Sequence, residues 1–158
     1  PPLSWAPEWA PYTILGDEGW QNYEVSSDVY LNQDESAAVM GRINHVGTGY
    51  GSVPKGYFLQ LDQNGDCRLV LIKGQKDKEN PEGGESVLGA IRLNNTQMNR
   101  WHNLTLRFDG SNITALVDGK AVLRATDTTY ARGMMGLMTG SGKKLSMSYF
   151  DNLLIRGL

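Results

Sequence analysis

From Tyr12 onward, apolar and polar positions alternate with a period of two, not 3.6. Tyr23, Val25, Ser27, Val29 and Leu31 alternate with Glu24, Ser26, Asp28 and Tyr30, the pattern of a strand with one buried face. Residues Ala37 to Asn44 repeat it, with Val39, Gly41 and Ile43 opposing Met40, Arg42 and Asn44. Tyr57 to Asp62 and Cys67 to Lys73 read as a hairpin closed by Gln63-Asn64-Gly65-Asp66. The Asn-Gly pair supplies the positive-φ residues that tight hairpins require. Val87 to Leu93 is a further short strand, and Trp101 to Asp109, Asn112 to Val117 and Lys120 to Ala125 form a meander turning at Asp109-Gly110 and Asp118-Gly119. Met134 to Thr139 and Leu145 to Ile155 complete the series. A glycine-rich loop runs from His45 to Gly56 and a polar one from Gly74 to Glu85, and no segment carries a helical stripe. About eleven short strands punctuated by turn signals predict an all-β sandwich or jelly roll of two antiparallel sheets. Such a sandwich buries one face of each sheet and leaves the other open, a natural place for an extended ligand.

A chain of 158 residues suits one domain. At this size about 68–70% of the unfolded surface is buried, so a core forms without metal or disulfide. Nineteen glycines, about 12% against a usual ~7%, fit a fold with many tight turns. Four of the six prolines fall in residues 1–11 together with Trp5 and Trp9. That lead reads as an extended linker to a neighbouring domain, with the domain itself at 12–158. Fifteen Lys+Arg against 17 Asp+Glu give a net charge of −2, without the basic surplus of a nucleic-acid binder. No stretch approaches the roughly 18 apolar residues of a membrane helix. Cys67 is the single cysteine, so no intrachain disulfide forms. Asn-x-Ser/Thr sequons begin at Asn94, Asn103 and Asn112 and matter only in a host that glycosylates.

Enzyme chemistry finds little support. His102 follows Trp101 in a strand pattern and is expected to face solvent, while His45 opens the glycine-rich loop. There is no Gly-x-Ser-x-Gly elbow and no Cys/His spacing for zinc. Cys67 reads as a small strand residue. Asp17/Glu18, Asp34/Glu35 and Asp77/Glu79 read as solvated loop acids. Calcium is a better candidate, because hard cations take carboxylate and carbonyl oxygens from irregular loops. If the first and last strands are neighbours, Asp17 and Asp151 converge, although Gly-Asp and Asp-Asn pairs are also common turn formers. Trp20 and Trp101, at strand entrances, read as core residues, whereas Tyr50 in the glycine-rich loop suits stacking on a ligand. Arg42 and Asn44 share one strand face. With Tyr57, Leu59 and Leu61 inward, Phe58 and Gln60 point outward, and Arg68 joins them if Leu69 and Leu71 face the core. The candidate sugar-binding set is thus Arg42, Asn44, His45, Tyr50, Phe58, Gln60 and Arg68. Planar polar groups match hydroxyl pairs and an aromatic covers the apolar sugar face, while an ordinary solvated sheet is the plain alternative.

The run from Tyr12 through Gly16-Asp17-Glu18-Gly19-Trp20 to Tyr23, then Asp28-Val29-Tyr30-Leu31 and Gly41-Arg42-Ile43-Asn44, resembles the C-terminal lectin-like domain of galactocerebrosidases, the glycoside hydrolase family 59 enzymes. The likeness continues through Gly56-Tyr57-Phe58, Trp101-His102-Asn103-Leu104-Thr105-Leu106, Asp118-Gly119-Lys120 and Phe150-Asp151-Asn152-Leu153-Leu154. It implies a concanavalin A-like jelly roll. It also implies a structural calcium ion held by Asp17 and Asp151, with carbonyls from Gly19 and from the loop after Asn44. Where the family has Asn, Gly19 can offer only its carbonyl. The family's catalytic carboxylates lie in a separate barrel domain, so nothing catalytic carries over, and the loop from Gly74 to Glu85 reads as an insertion. The function implied is a non-catalytic carbohydrate-binding module. It would be monomeric, sit in a secreted or lysosome-like compartment, and bring an attached glycosidase to galactose-containing glycans. The alternative is a structural domain that buttresses a catalytic one without binding sugar.

Overall fold

The computed structural model describes residues 12–31, 35–45, 53–94, 99–141 and 148–158. The lead with Trp5 and Trp9, Tyr50 with the rest of 46–52, and the side chain of His45 lie outside the described residues. The strands are β1 (Tyr12–Leu15), β2 (Tyr23–Tyr30), β3 (Glu35–His45), β4 (Lys55–Asp62), β5 (Asp66–Lys73), β6 (Glu85–Arg92), β7 (Trp101–Asp109), β8 (Asn112–Val117), β9 (Lys120–Thr126), β10 (Met134–Ser141) and β11 (Tyr149–Gly157). They form a six-stranded sheet, β1-β10-β3-β4-β5-β6, and a five-stranded sheet, β11-β2-β7-β8-β9, stacked as a sandwich. Every neighbouring pair is antiparallel. The all-β sandwich expected from the period of two is the fold observed.

The alternation in the sequence becomes alternation in burial. Along β2 every second residue, Tyr23 to Val29, is buried and the intervening ones are half-exposed. These inward residues meet Val39, Tyr57, Leu59 and Leu61 of one sheet and Leu104, Leu106 and Phe108 of the other in the main core. Apolar burial on this scale supplies the main driving force for the sandwich. Phe108 is its hub, with ring centroids 5.3 Å from Tyr23 and 5.7 Å from Tyr57. A Cβ on Gly41 would lie 2.2 Å from the Phe108 ring, so β3 passes over that ring only because residue 41 lacks a side chain. The Asp118-Gly119 turn takes positive φ at both residues, 51° and 79°, as a two-residue type I′ hairpin demands.

β4 and β5 break the simple alternation. Gly56–Leu59 and Leu69–Ile72 are each four buried residues in succession, the mark of strands covered on both faces. The outward-facing side chains form a second apolar cluster of Ala38, Met40, Ile43, Phe58, Val70, Ile72 and Met138, flanked by Tyr12, Ile14, Val53 and Met134. Phe58 therefore faces away from the main core, as its parity requires, yet it is buried and presents no stacking surface.

Arg42 is a second correction. It takes φ 49°, and the β3–β4 register slips between Gly41 and His45. That irregularity redirects the side chain inward, where it is 2% exposed. Its Nε and Nη2 donate to Gln21 O at 3.1 and 2.9 Å, Nη1 to Tyr130 O at 3.1 Å and Nη2 to Gly110 O at 2.8 Å. The guanidinium lies 4.8 Å over Phe108, and Arg42 N donates to the Tyr23 hydroxyl at 2.6 Å. Arg42 is a strut that ties three connecting segments to β3, and it cannot touch a ligand on the sheet.

Candidate carbohydrate-binding cleft

The outer face of the six-stranded sheet turns polar toward one end. Register places Ala38, Gln60, Arg68 and Ala90 in one row across β3, β4, β5 and β6. The next row holds Ser36 opposite Asp62 and, beyond the hairpin turn, Asp66 opposite Arg92. All of these but Ala38, together with Cys67 and Ile91, line an open cleft of about 500 Å³. Inside it the side chains form a relay: Arg68 Nη2 donates to Gln60 Oε1 at 2.6 Å, and Gln60 Nε2 donates to Ser36 Oγ at 3.0 Å. Asp62 Oδ1 accepts the backbone N–H groups of Asn64 and Asp66 at 2.8 and 3.0 Å, which holds the hairpin turn at the cleft rim. Arg92 Nε lies 4.0 Å from Asp66 Oδ1, a loose pair between half-exposed partners. Guanidinium, amide, hydroxyl and carboxylate groups thus converge within two rows. A sugar's adjacent hydroxyls act as donor and acceptor together, and a set of this composition can satisfy both.

Of the residues singled out from the sequence, Gln60 and Arg68 meet here. Asn44 lies eight residues from Ser36 along β3, roughly 25 Å at strand rise, and donates to Arg42 O at 2.7 Å. The backbone of His45 pairs with Lys55 at that same far end. Arg42 and Phe58 are buried, as described above. Ser36, Asp62, Asp66 and Arg92 were not foreseen, because their proximity depends on the β3–β4 and β5–β6 registers. The two acids did carry a signal, since they flank the Asn-Gly hairpin that leads into Arg68.

The residues expected to hold calcium lie on separate elements, Asp17 and Gly19 in the turn before β2 and Asp151 on β11. Asp17 Oδ1 accepts Gly19 N at 2.7 Å and Asp17 O accepts Trp20 N at 3.2 Å, a self-contained turn before β2. β11 does pair with β2, but antiparallel, so Asp151 lies opposite Asp28 while Gly157 lies opposite Tyr23. Five residues of strand, about 17 Å, separate those positions. Asp151 Oδ1 accepts Asn152 N at 2.7 Å. No group of three or more His, Cys, Asp or Glu side chains is placed to hold a metal among the described residues.

Two further expectations change. His102 is buried, with Nδ1 2.9 Å from Asp118 Oδ2, and does not face solvent. Trp101 is 48% exposed and lies outside the core. Cys67 is buried, and burial pushes its thiol up to about 12, in keeping with a small strand residue. No helix is long and apolar enough to cross a membrane among the described residues.

Comparison with known proteins settles the relationship. The family described as galactocerebrosidase, C-terminal lectin domain, matches residues 1–158. The chain belongs to this family. Galactocerebrosidase of Canis lupus familiaris is 26% identical over 155 residues, 96% of this chain and 21% of that protein. The Salmo salar protein is 31% identical over 122 residues, 75% of this chain and 16% of that one. The lectin-domain chain thus spans about a fifth or less of the length of these relatives. Among solved structures, the carbohydrate binding module CBM66 from Bacillus subtilis superimposes with a TM-score of 0.75 at 15% identity, covering 96% of this chain and 84% of that one. Sheep galectin-11 superimposes with a TM-score of 0.59 at 10% identity, covering 94% and 96%. The fold is the concanavalin A-like, galectin-like sandwich that the resemblance implied.

Proposed function

We propose that this lectin domain is a non-catalytic module that binds galactose-containing glycans in the cleft of Ser36, Gln60, Asp62, Asp66, Arg68 and Arg92 and holds an attached glycosidase on its substrate. The carrying observation is the Arg68–Gln60–Ser36 relay, set in an open cleft on a lectin fold. The kinship with galactocerebrosidases supports galactose as the sugar and a secreted or lysosome-like setting. A single copy carries the whole cleft, so binding there needs no second copy. Calorimetric titration with galactosides and galactan tests the reading. Arg68→Ala is expected to weaken binding at least tenfold, with no turnover of aryl galactosides by the parent chain. Unchanged affinity in Arg68→Ala, or turnover, rejects it.

One observation favours the buttressing role as a second reading. Leu15 on edge strand β1 and Leu153, Leu154 and Leu158 at edge strand β11 are 41–59% exposed. Exposed apolar groups along sheet edges suit a covering domain. This reading predicts that Arg68→Ala leaves glycan affinity unchanged while charged substitutions at Leu153 and Leu154 loosen the parent enzyme.

A further inference from the structure

The outer face of the five-stranded sheet carries a graded set of rows that the cleft does not use. Register aligns Tyr149, Tyr30 and Trp101 across β11, β2 and β7. Their ring centroids are 6.1 and 5.5 Å apart, with Tyr149 and Trp101 each steeply inclined to Tyr30, at 74° and 64°. Tyr149 and Trp101 are each 48% exposed. Two residues along every strand comes a row of Asp151, Asp28 and Asn103. The Asp28 carboxylate accepts Asn152 Nδ2 at 2.7 Å and Asn103 Nδ2 at 3.0 Å. Asn103 also meets Ser26 and Thr105, at 2.9 Å in each case. Asn152 takes φ 51°, where the β2–β11 register slips, and this brings its amide back over Asp28.

We propose that this face is a second carbohydrate site, in which the aromatic row takes the apolar faces of a neutral pyranose chain and the Asp28–Asn103–Asn152 row takes its hydroxyls. Three aromatic rings in a line, the outer two half open to water, make a contiguous apolar surface of the kind that marks an interaction site. The polar row beside them is fixed by its own hydrogen bonds before any ligand arrives, so binding orders little. The charge selects the class of sugar. Asp28 and Asp151 form no ion pair among the described residues, so the row repels sulfated or carboxylated glycans and accepts neutral ones. This site goes beyond the cleft and stands on the opposite sheet.

The test uses a variant lacking the cleft groups, Gln60→Ala with Arg68→Ala, titrated with neutral galactan, glucan and xylan and with a sulfated galactan. The expected result is residual binding of a neutral polysaccharide that falls at least tenfold in Trp101→Ala and again in Tyr149→Ala. Melting temperature should stay close to the parent's, and Trp101→Phe should recover most of the affinity. Binding of the sulfated galactan as tightly as the neutral one overturns the proposal. So does the absence of any polysaccharide binding in the cleft variant, or binding untouched by loss of the aromatics. Light scattering provides the remaining arm: if Trp101→Ala instead abolishes self-association, the row is a protein interface and the proposal fails.

Discussion

Gly41 and Asp28 show how single residues set this fold, the first through the room it leaves and the second through a charge. Gly41→Ala places a Cβ 2.2 Å from Phe108, a buried ring of the main core. Overpacking of this kind costs about 1–3 kcal/mol, so denaturant titration should show the midpoint falling with an unchanged slope. Asp28 acts through its charge. Hydrogen bonds from Asn152 and then Asn103 hold its carboxyl below the ordinary value of 3.8, against a smaller opposing effect of burial. A depressed folded-state value means stability that is present above about pH 4 and lost as pH falls through the folded value. Melting curves from pH 7 to pH 2 should therefore show a shallower acid decline in Asp28→Asn than in the parent. An equal decline would mean that the two amides do not favour the charged form.

Elements carry the next set of consequences. The pairing of β2 with β11 puts Asp151 opposite Asp28, while Asp17 sits in the turn before β2, although both belong to the motifs that the family likeness ties to calcium. Substitutions at separate sites add within about 0.3–0.5 kcal/mol. Asp17→Asn and Asp151→Asn are thus expected to change stability additively, with calcium or with chelator present. A coupling above about 1 kcal/mol that vanishes in chelator would place both at one ion. The strands themselves were legible. A period of two located them, and the Asn-Gly and Asp-Gly pairs located their turns. Parity along β7 also held the answer for Trp101: once Leu104, Leu106 and Phe108 face inward, His102 goes with them and Trp101 must face out. Reading Trp101 as a core aromatic gave weight to residue type over parity.

At the scale of the molecule, a third of the candidate cleft, Gln60 and Arg68 among its six residues, could be read in advance. Gln60 and Arg68 followed from alternation alone, because β4 and β5 pair without a bulge from Lys55 to Leu61. Arg42 was misplaced by a single left-handed residue, which no spacing rule reveals. Phe58 was misplaced because burial of an outer sheet face depends on what packs there. The hint was the unbroken run Leu69-Val70-Leu71-Ile72 in the neighbouring strand. The cleft and the aromatic row lie toward the same end of the sandwich. Ser148, just before Tyr149, donates to Ser36 O at 3.1 Å, so the rim of one is tied to the start of the other.

The double covering of β4 and β5 bears on how the cleft works. Strands buried on both faces, with ladder bonds on both edges, open to hydrogen exchange only in the rarest fluctuations of a domain. Gln60 and Arg68 are rooted in those two strands. The groups of the proposed cleft therefore stand beside two four-residue runs of buried strand, Gly56–Leu59 and Leu69–Ile72. If the proposed cleft takes a glycan, its partners are already in place and little of the binding energy is spent on ordering the protein.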